Sequence, residues 1–146
     1  MLTLWPIEYS DKQLFQDTSY ASLDEASMSA MLDASRAKQS NGSYFELLAV
    51  KQEDTCVGFI SLYGLSETEI SIGPEINPQF RNRGFAYAAE VLAMEYVRSL
   101  GFTKAVAQVR EDNTASRALH EKLEFTLVRH EVNAKGRPVC WYEKNL

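Results

Sequence analysis

The residue types best suited to chemistry lie in one short turn between a strand-like segment and a long alanine-rich helix, Arg81-Asn82-Arg83-Gly84-Phe85-Ala86. Glycine at Gly84 and alanine at Ala86 let the backbone approach a bulky ligand closely. The helix that begins behind them offers unpaired N–H groups and the positive end of its dipole. Arg81 and Arg83 add positive charge at the same place. Together these groups predict a binding site for a pyrophosphate.

Three kinds of phosphate-binding loop compete for this turn, and their spacing separates them. A P-loop carries Gly-Lys-Ser/Thr after its glycine run, whereas Gly84 is followed by Phe85 and Ala86. A dinucleotide loop carries G-x-G-x-x-G with an acidic residue about 20 positions later, and only Gly84 and Ala86 match part of that pattern. The pattern that does match is R/Q-x-x-G-x-G/A, formed by Arg81, Gly84 and Ala86.

The elements that position this turn follow from hydrophobic periodicity and turn signals. The helix behind it is the clearest, because apolar residues recur at helical spacing from Phe85 to Leu100 and Gly101 ends it. Further helices are predicted at Asp11–Tyr20, Leu23–Lys38 and Asn113–Leu123. Strands are predicted at Thr3–Glu8, Tyr44–Lys51, Thr55–Tyr63, Glu69–Asn77, Lys104–Val109, Thr126–Val132 and Val139–Glu143. This order predicts an α/β fold in which about four helices flank a mixed, mostly antiparallel sheet of about seven strands.

Length and composition restrict the class of protein. The 146 residues are 45% apolar and 24% charged, which is close to the globular average and predicts a single domain over residues 1–146. The amino-terminal stretch has no basic region and is interrupted by Pro6 and Glu8, and no apolar run approaches the ~20 residues of a membrane span. We therefore expect a cytoplasmic protein without a membrane partner.

Cysteine, histidine and charge content restrict the ligands. Cys56 and Cys140 stand far apart without a histidine at ligand spacing, and His120 and His130 are the only histidines, so no metal site is predicted. Residues 1–75 hold four Lys/Arg against twelve Asp/Glu, whereas residues 76–146 hold eleven against eight. This asymmetry suits a polyanionic cofactor and a cationic substrate, and chance with solvated helix faces explains it equally well. Double-stranded nucleic acid is a poor partner for a net charge of −5.

A second motif indicates which pyrophosphate the turn binds. The run from Asn113 to Phe125, NTASRALHEKLEF, resembles the N-x-x-S/A segment ending in E-K-L-G-F of the GNAT superfamily of N-acetyltransferases. In that superfamily the pyrophosphate loop for acetyl-CoA has the pattern found at Arg81–Ala86, and the two motifs stand in the same order with one strand between them. The resemblance covers residues 72–125 well and the first 65 residues only through element order.

The resemblance implies a GNAT-like fold, acetyl-CoA as co-substrate and a set of contact residues. Within the superfamily, Ile72-Gly73 before Asn77-Pro78, together with Asn113 and Ser116, is most similar to the branch of ribosomal-protein N-terminal (alanine) acetyltransferases. Asn113 and Ser116 are assigned to the pantetheine arm, and Asn113 is also a good helix N-cap by type. The implied cofactor-binding residues are Ile76, Asn77, Arg81, Asn82, Arg83, Gly84, Phe85, Ala86, Asn113 and Ser116.

Three positions depart from the family's pattern. Glu124 stands where the family usually has glycine, and a non-glycine is less comfortable in the left-handed turn that ends a helix. Ala88 falls where the ribosomal branch often has glutamate. His120 stands where many members have a tyrosine that protonates the departing thiolate, and it shares a helix face with Ser116. Because an imidazole of pKa near 6.5 exchanges protons at neutral pH, His120 is predicted as the catalytic acid, with a packed histidine as the alternative.

The resemblance implies direct attack by an amine on acetyl-CoA in a ternary complex, with no acetyl-enzyme. Only a neutral amine attacks the thioester. At pH 7 a lysine-like amine of pKa ~10.4 is neutral far less often than an α-amine of pKa ~8. The kind of amine therefore determines how much help from a base is needed. Glu75 and Glu69 lie on the strand before the loop, on one face unless a bulge occurs near Gly73-Pro74. We favour Glu75 as the catalytic base, with a backbone N–H near Ile76 or Asn77 stabilising the oxyanion.

The sequence thus predicts an enzyme, an acetyl-CoA-dependent N-acetyltransferase for a primary amine of a peptide or protein N-terminus or of a small molecule. A non-catalytic acyl-CoA-binding regulatory module is the alternative, because His120 replaces the family's tyrosine. The acceptor site would be formed by the early helices, where the resemblance is weakest, so the sequence does not identify the acceptor. A homodimer is left open.

Overall fold

The computed structural model describes residues 1–15 and 18–146, and in this part of the chain seven strands form one sheet. Their order across the sheet is β1-β2-β3-β4-β5-β7-β6, and all neighbours are antiparallel except β4 and β5. The predicted mixed, mostly antiparallel sheet is therefore confirmed. The strands are β1 (Leu2–Pro6), β2 (Phe45–Gln52), β3 (Thr55–Gly64), β4 (Glu69–Ile76), β5 (Lys104–Arg110), β6 (Thr126–Val132) and β7 (Pro138–Asn145).

The described residues contain three α-helices, one fewer than predicted: α1 (Glu25–Ala37), α2 (Phe85–Ser99) and α3 (Thr114–Lys122). The predicted α-helix at residues 11–20 is wrong, because Tyr9–Phe15 forms a 3₁₀ helix and turns begin at Thr18. Local side chains compete for the backbone here. Asp11 accepts a hydrogen bond from the N–H of Glu8 at 3.0 Å, and the Thr18 hydroxyl donates to the carbonyl of Phe15 at 2.8 Å. Gln16 and Asp17, within the same prediction, lie outside the described residues.

The helices cover the two faces of the sheet. Successive residues of a strand point to opposite faces, so Leu48 packs in the cluster that contains α2, whereas Leu47 packs in the cluster that contains Leu32 of α1. Ala89 and Ala93 of α2 are fully buried against the sheet. Small side chains at these positions let α2 lie close to the strands that carry its preceding loop.

The strands β4 and β5 separate part-way along their length. Their parallel pairing covers only residues 69–71 of β4 and residues 104–106 of β5, although β4 continues to Ile76 and β5 to Arg110. Pro74 has no N–H with which to extend the ladder. On its other side β4 pairs with β3 without a register shift through Ile76, so no bulge occurs near Gly73 and Pro74. The separation opens a gap in the middle of the sheet, next to the start of α2.

Candidate active site

A cleft of about 630 Å³ lies at this gap, between the end of β4 and the first turns of α2 and α3. It brings together residues that are far apart in the sequence. The lining residues are Pro74, Glu75, Ile76, Phe80, Arg81, Asn82, Gly84, Phe85, Ala86, Tyr87, Asn113, Ala115, Ser116, Leu119 and Lys122. All the predicted cofactor contacts line it except Asn77 and Arg83.

The loop before α2 turns sharply so that the amino end of this helix faces the cleft. Asn82 has a φ of 64° and Gly84 a φ of 81°, so two residues of the loop adopt the left-handed conformation that favours glycine and asparagine. Gly84 is the N-cap and supplies no side-chain acceptor. The N–H groups of the first turn therefore have no intrahelical partner and are available to an anion.

Positive charge lines the cleft on two sides. The Arg81 side chain bends back, and its Nε donates to the carbonyl of Ile76 at 2.9 Å. Lys122, at the end of α3, holds its Nζ 4.7 Å from the ring centre of Tyr87 on α2. Tyr87 and Lys122 were missed as site residues by sequence reasoning, although Lys122 belongs to the E-K-L run. Arg83 instead stacks over the ring of Phe80, 5.8 Å from its centre.

The amino end of α3 supplies the opposite wall. The Asn113 side chain is the N-cap, and its Oδ1 accepts a hydrogen bond from the N–H of Ser116 at 3.0 Å. Both residues also line the cleft. The sequence predicts a helix cap at Asn113, and the GNAT resemblance implies a pantetheine contact; the cap is observed, and the pantetheine contact stays a prediction.

One carboxylate lines the described part of the cleft, that of Glu75. Its two oxygens accept hydrogen bonds from the N–H of Ser19 at 3.0 Å and the Ser19 hydroxyl at 2.9 Å. Ser19 lies in the turns before α1, in the early part of the chain that was expected to form the acceptor site, but it was not itself predicted as a site residue. Glu69, the other predicted base, pairs with Lys104 at 3.5 Å at the opposite end of β4. Glu75 is thus the one of the two carboxylates that can reach a ligand in the cleft.

Asn77, the residue after β4, does not offer the free backbone N–H that was predicted to stabilise the oxyanion. The backbone N–H of Asn77 donates to the carbonyl of Val57 at 2.9 Å, and its side-chain Nδ2 donates to the carbonyl of Leu14 at 3.1 Å. Asn77 is buried and does not line the cleft. Of the two donors predicted for the oxyanion, the Asn77 N–H is already used within the protein, and the prediction falls on Ile76 alone.

A family model described as an acetyltransferase (GNAT) domain matches residues 2–126. The chain belongs to the GNAT acetyltransferase family. No curated protein matches the chain significantly. Among the described residues, no helix is long and apolar enough to cross a membrane, and no group of three or more acidic, cysteine or histidine side chains could hold a metal ion.

Solved structures share the GNAT fold with this chain at low sequence identity. An acetyltransferase from Salmonella typhimurium that modifies the N-terminal serine of ribosomal protein L7/L12 is 17% identical with a TM-score of 0.79, covering 99% of this chain and 95% of its own. Mutant forms of the spermidine/spermine N-acetyltransferase of Vibrio cholerae are 18% identical, with a TM-score of 0.77 and coverages of 99% and 95%. A GNAT acetyltransferase from Elizabethkingia anophelis with acetyl-CoA bound is 13% identical, with a TM-score of 0.76 and coverages of 99% and 98%. The neighbours include ribosomal-protein and spermidine/spermine acetyltransferases, so the fold alone does not assign the ribosomal-protein branch.

His120, at the position of the GNAT tyrosine, lies beneath the cleft instead of lining it. Its ring is 2% exposed. Nδ1 lies 2.7 Å from the carbonyl oxygen of Ser116, and Nε2 lies 3.0 Å from Oε1 of Glu90 on α2. His120 was expected to share one helix face with the cofactor contacts Asn113 and Ser116. Asn113 and Ser116 line the cleft, whereas His120 turns towards α2, so the three do not meet in one space. Its role as catalytic acid stays a prediction, and Glu90 is a partner that sequence reasoning missed.

Glu124, at the position of the GNAT glycine, adopts the conformation that glycine would supply. Its φ is 66°. The N–H of Phe125 donates to the carbonyl of His120 at 2.9 Å, and the N–H of Glu124 donates to the carbonyl of Glu121 at 3.0 Å, which is a Schellman helix end. The departure from glycine therefore leaves the turn intact and does not touch the cofactor loop.

Proposed function

We propose that this GNAT protein is an acetyl-CoA-dependent N-acetyltransferase that transfers the acetyl group directly to a primary amine of a peptide N-terminus or a small molecule. The observation that carries the proposal is that one cleft contains both the uncapped amino end of α2 and the carboxylate of Glu75. The first group suits an anionic donor, and the second suits a protonated amine acceptor.

The donor half of the cleft offers groups that would suit coenzyme A. The N–H groups at the start of α2 and the side chains of Arg81 and Lys122 suit the pyrophosphate. Beyond Ser71 the edge of β4 has no β5 partner, and a free strand edge accepts an extended chain such as a pantetheine arm. Bound acetyl-CoA supplies the activated acyl group.

The acceptor half depends on Glu75. Its carboxylate would take the proton of the incoming ammonium group directly or through one water, leaving the neutral amine that attacks. A covalent route through a thiol would need a cysteine in the cleft. Cys140 is buried beside His130 with Sγ 3.6 Å from Nδ1, Cys56 lies 3.9 Å from Oδ1 of Asp11, and neither lines the cleft. This supports direct transfer in a ternary complex.

The proposal is tested in two steps with the purified protein. Acetyl-CoA should raise the melting temperature in a concentration-dependent manner, because a ligand that binds the folded state stabilises it. Release of free thiol from acetyl-CoA is then measured over a panel of peptide N-termini, polyamines and other small amines. Turnover on one class identifies the acceptor. Binding without turnover on any amine favours the non-catalytic module, and absence of binding contradicts both functions.

The cofactor loop gives a separate prediction through Gly84. No atom of the described residues lies within 4 Å of a Cβ built on Gly84, so Gly84→Val meets no clash among them but opposes a φ of 81°. Relief of this strain would turn the first N–H groups of α2 away from the anion, and we expect the dissociation constant of acetyl-CoA to rise by about tenfold or more. Isothermal titration calorimetry measures it.

Gly136 supplies the matched control for this substitution. It has a φ of 76° and equally open surroundings, but lies in the turn between β6 and β7 and does not line the cleft. Gly136→Val should lower stability by a similar amount and leave acetyl-CoA affinity unchanged. Equal affinities of both variants and the parent would contradict an anion site at the start of α2.

A further inference from the structure

The buried pair of Glu90 and His120 joins the two helices that form the walls of the cleft. Glu90 is 0% exposed and His120 is 2% exposed. Each helix contributes cleft-lining residues less than two turns away, Tyr87 on α2 and Ser116 on α3. The pair therefore lies under the floor of the site, where a change in helix separation would alter the width of the cleft.

The hydrogen-bond geometry determines how many protons the pair holds. The carbonyl oxygen of Ser116 can only accept, so Nδ1 of His120, 2.7 Å away, carries a proton. Nε2 of His120 and Oε1 of Glu90 are 3.0 Å apart, and two lone pairs at that distance repel. One further proton must lie between them, either on the imidazolium or on the carboxylic acid. The pair is then neutral overall in both forms.

We propose that Glu90 and His120 hold one shared proton, and that this proton keeps α2 and α3 at the separation that acetyl-CoA binding requires. Glu90 is then a positioning residue that acts through His120 and the helices and does not touch the ligand. The proposal rests on the proposed function, because it assigns acetyl-CoA to the cleft between these helices.

The described surroundings offer no substitute partner if the proton leaves. Oε2 of Glu90 is buried and has no hydrogen-bond partner among the described residues. The ring of His120 stacks on Tyr142 at 5.8 Å and meets Phe125 edge-on at 5.0 Å. The Tyr142 hydroxyl is itself bound, accepting from Nε of Arg117 at 3.2 Å and lying 3.4 Å from Oε1 of Glu121. Loss of the shared proton would leave a buried carboxylate facing a lone pair, and α2 and α3 would move apart.

The direction of the pH effect follows from the proton that is lost. Burial lowers the pKa of His120, but the hydrogen bond and charge of Glu90 and the Ser116 carbonyl outweigh it, and the pKa is raised above 6.5. A raised pKa means that the pair's contribution to stability is complete below pH ~6.5 and is lost as the pH rises through the folded-state pKa. The affinity for acetyl-CoA should fall as the pH rises over the same range.

Nitrogen-15 NMR of the imidazole rings tests the proton directly and without activity. His130 is the only other histidine and serves as the internal reference in the same spectrum. At neutral pH both nitrogens of His120 should give protonated or proton-sharing shifts, and Glu90→Gln should convert Nε2 to an unprotonated acceptor while Nδ1 stays protonated. An Nε2 that has the same unprotonated shift in the parent protein as in Glu90→Gln at neutral pH, and so shares no proton with the Glu90 carboxyl group, would overturn the proposal.

Binding of acetyl-CoA is then measured between about pH 7 and about pH 9.5, a range in which lysines remain charged. In Glu90→Gln the amide donates to neutral His120, so affinity at pH 7 should stay within about threefold of the parent and lose its alkaline decline. Glu90→Leu removes the partner and should weaken binding by about tenfold. The exposed Glu95 of the same helix gives the control, Glu95→Gln, which should match the parent throughout.

His120→Phe distinguishes positioning from acid catalysis. If His120 positions the helices, His120→Phe must bind acetyl-CoA more weakly than the parent protein. A fall confined to kcat would instead support the role of His120 as catalytic acid and overturn the proposal. Parallel pH profiles of the parent and Glu90→Gln would also overturn it. Absence of acetyl-CoA binding by the parent would instead contradict the proposed function, while the NMR result on the shared proton would still stand.

Discussion

Glu75→Gln is expected to lower kcat by a factor on the order of 10²–10⁴ and to change acetyl-CoA affinity little. The amide keeps the size of the side chain and can still accept from Ser19, but it cannot take a proton from the substrate ammonium group. The loss should be greater for lysine-like amines than for α-amines, because fewer of the former are already neutral at pH 7. Steady-state kinetics on the acceptor found in the panel, with direct titration of acetyl-CoA, measures both quantities.

Glu69→Gln is the control on the same strand. Glu69 pairs with Lys104 at the paired end of β4 and does not line the cleft, so this variant should keep the parent kcat within about twofold. If Glu75→Gln also kept the parent kcat and its dependence on pH, Glu75 would be a structural partner of Ser19, and the base would have to be sought elsewhere.

Gly58→Ala is expected to lower the free energy of unfolding by about 3 kcal/mol or more, or to prevent folding. Gly58 of β3 lies opposite Ile76 of β4. A Cβ on Gly58 would overlap the carbonyl oxygen of Glu75 and lie 2.9 Å from Cα of Ile76, and both obstacles are backbone. The strands would have to separate where they present Glu75 to the cleft, so surviving protein should also bind acetyl-CoA more weakly. Urea unfolding and calorimetry measure the two effects.

Gly73→Ala provides the matched substitution on the neighbouring strand. The nearest atoms to a Cβ on Gly73 belong to Ser61 at 3.9 Å, which is an ordinary contact, and its φ is not in the left-handed region. We expect a change in unfolding free energy below about 1 kcal/mol. Similar stabilities for Gly58→Ala and Gly73→Ala would contradict the close approach of β3 and β4 at the site.

The cofactor loop was predictable because its signals are local. Consecutive residues encode this loop: Asn82 and Gly84 favour the left-handed conformation that they adopt, and the helix begins at Phe85 directly after them. The same holds for Asn113 as a cap three residues before Ser116. Periodicity likewise predicted the seven strands and the three α-helices, with ends that differ by a few residues from those observed, but it also predicted a fourth α-helix at residues 11–20, which is wrong.

Other parts of the site depend on contacts between distant residues. His120 looked available because its helix face is shared with Ser116, but its Nε2 lies 3.0 Å from Oε1 of Glu90, thirty positions earlier in the chain. The pairing of Glu75 with Ser19 joins positions fifty-six apart. Such contacts exist only after the helices and strands have packed, and no spacing rule in a single sequence reports them.

The short parallel pairing of β4 and β5 has a consequence for the cooperativity of the whole domain. Between them the sheet divides into two antiparallel units, β1–β4 and β5–β7. The β-ladder that joins these units, the parallel pairing of β4 with β5, is three residue pairs long. A ligand that lies in the gap could form hydrogen bonds in place of those that β4 and β5 do not make with each other, and would so join the two units. Acetyl-CoA would then act as a structural crosslink as well as a donor. In the free protein the two units could open separately, whereas in the complex their amide protons would exchange with solvent as those of one cooperative unit.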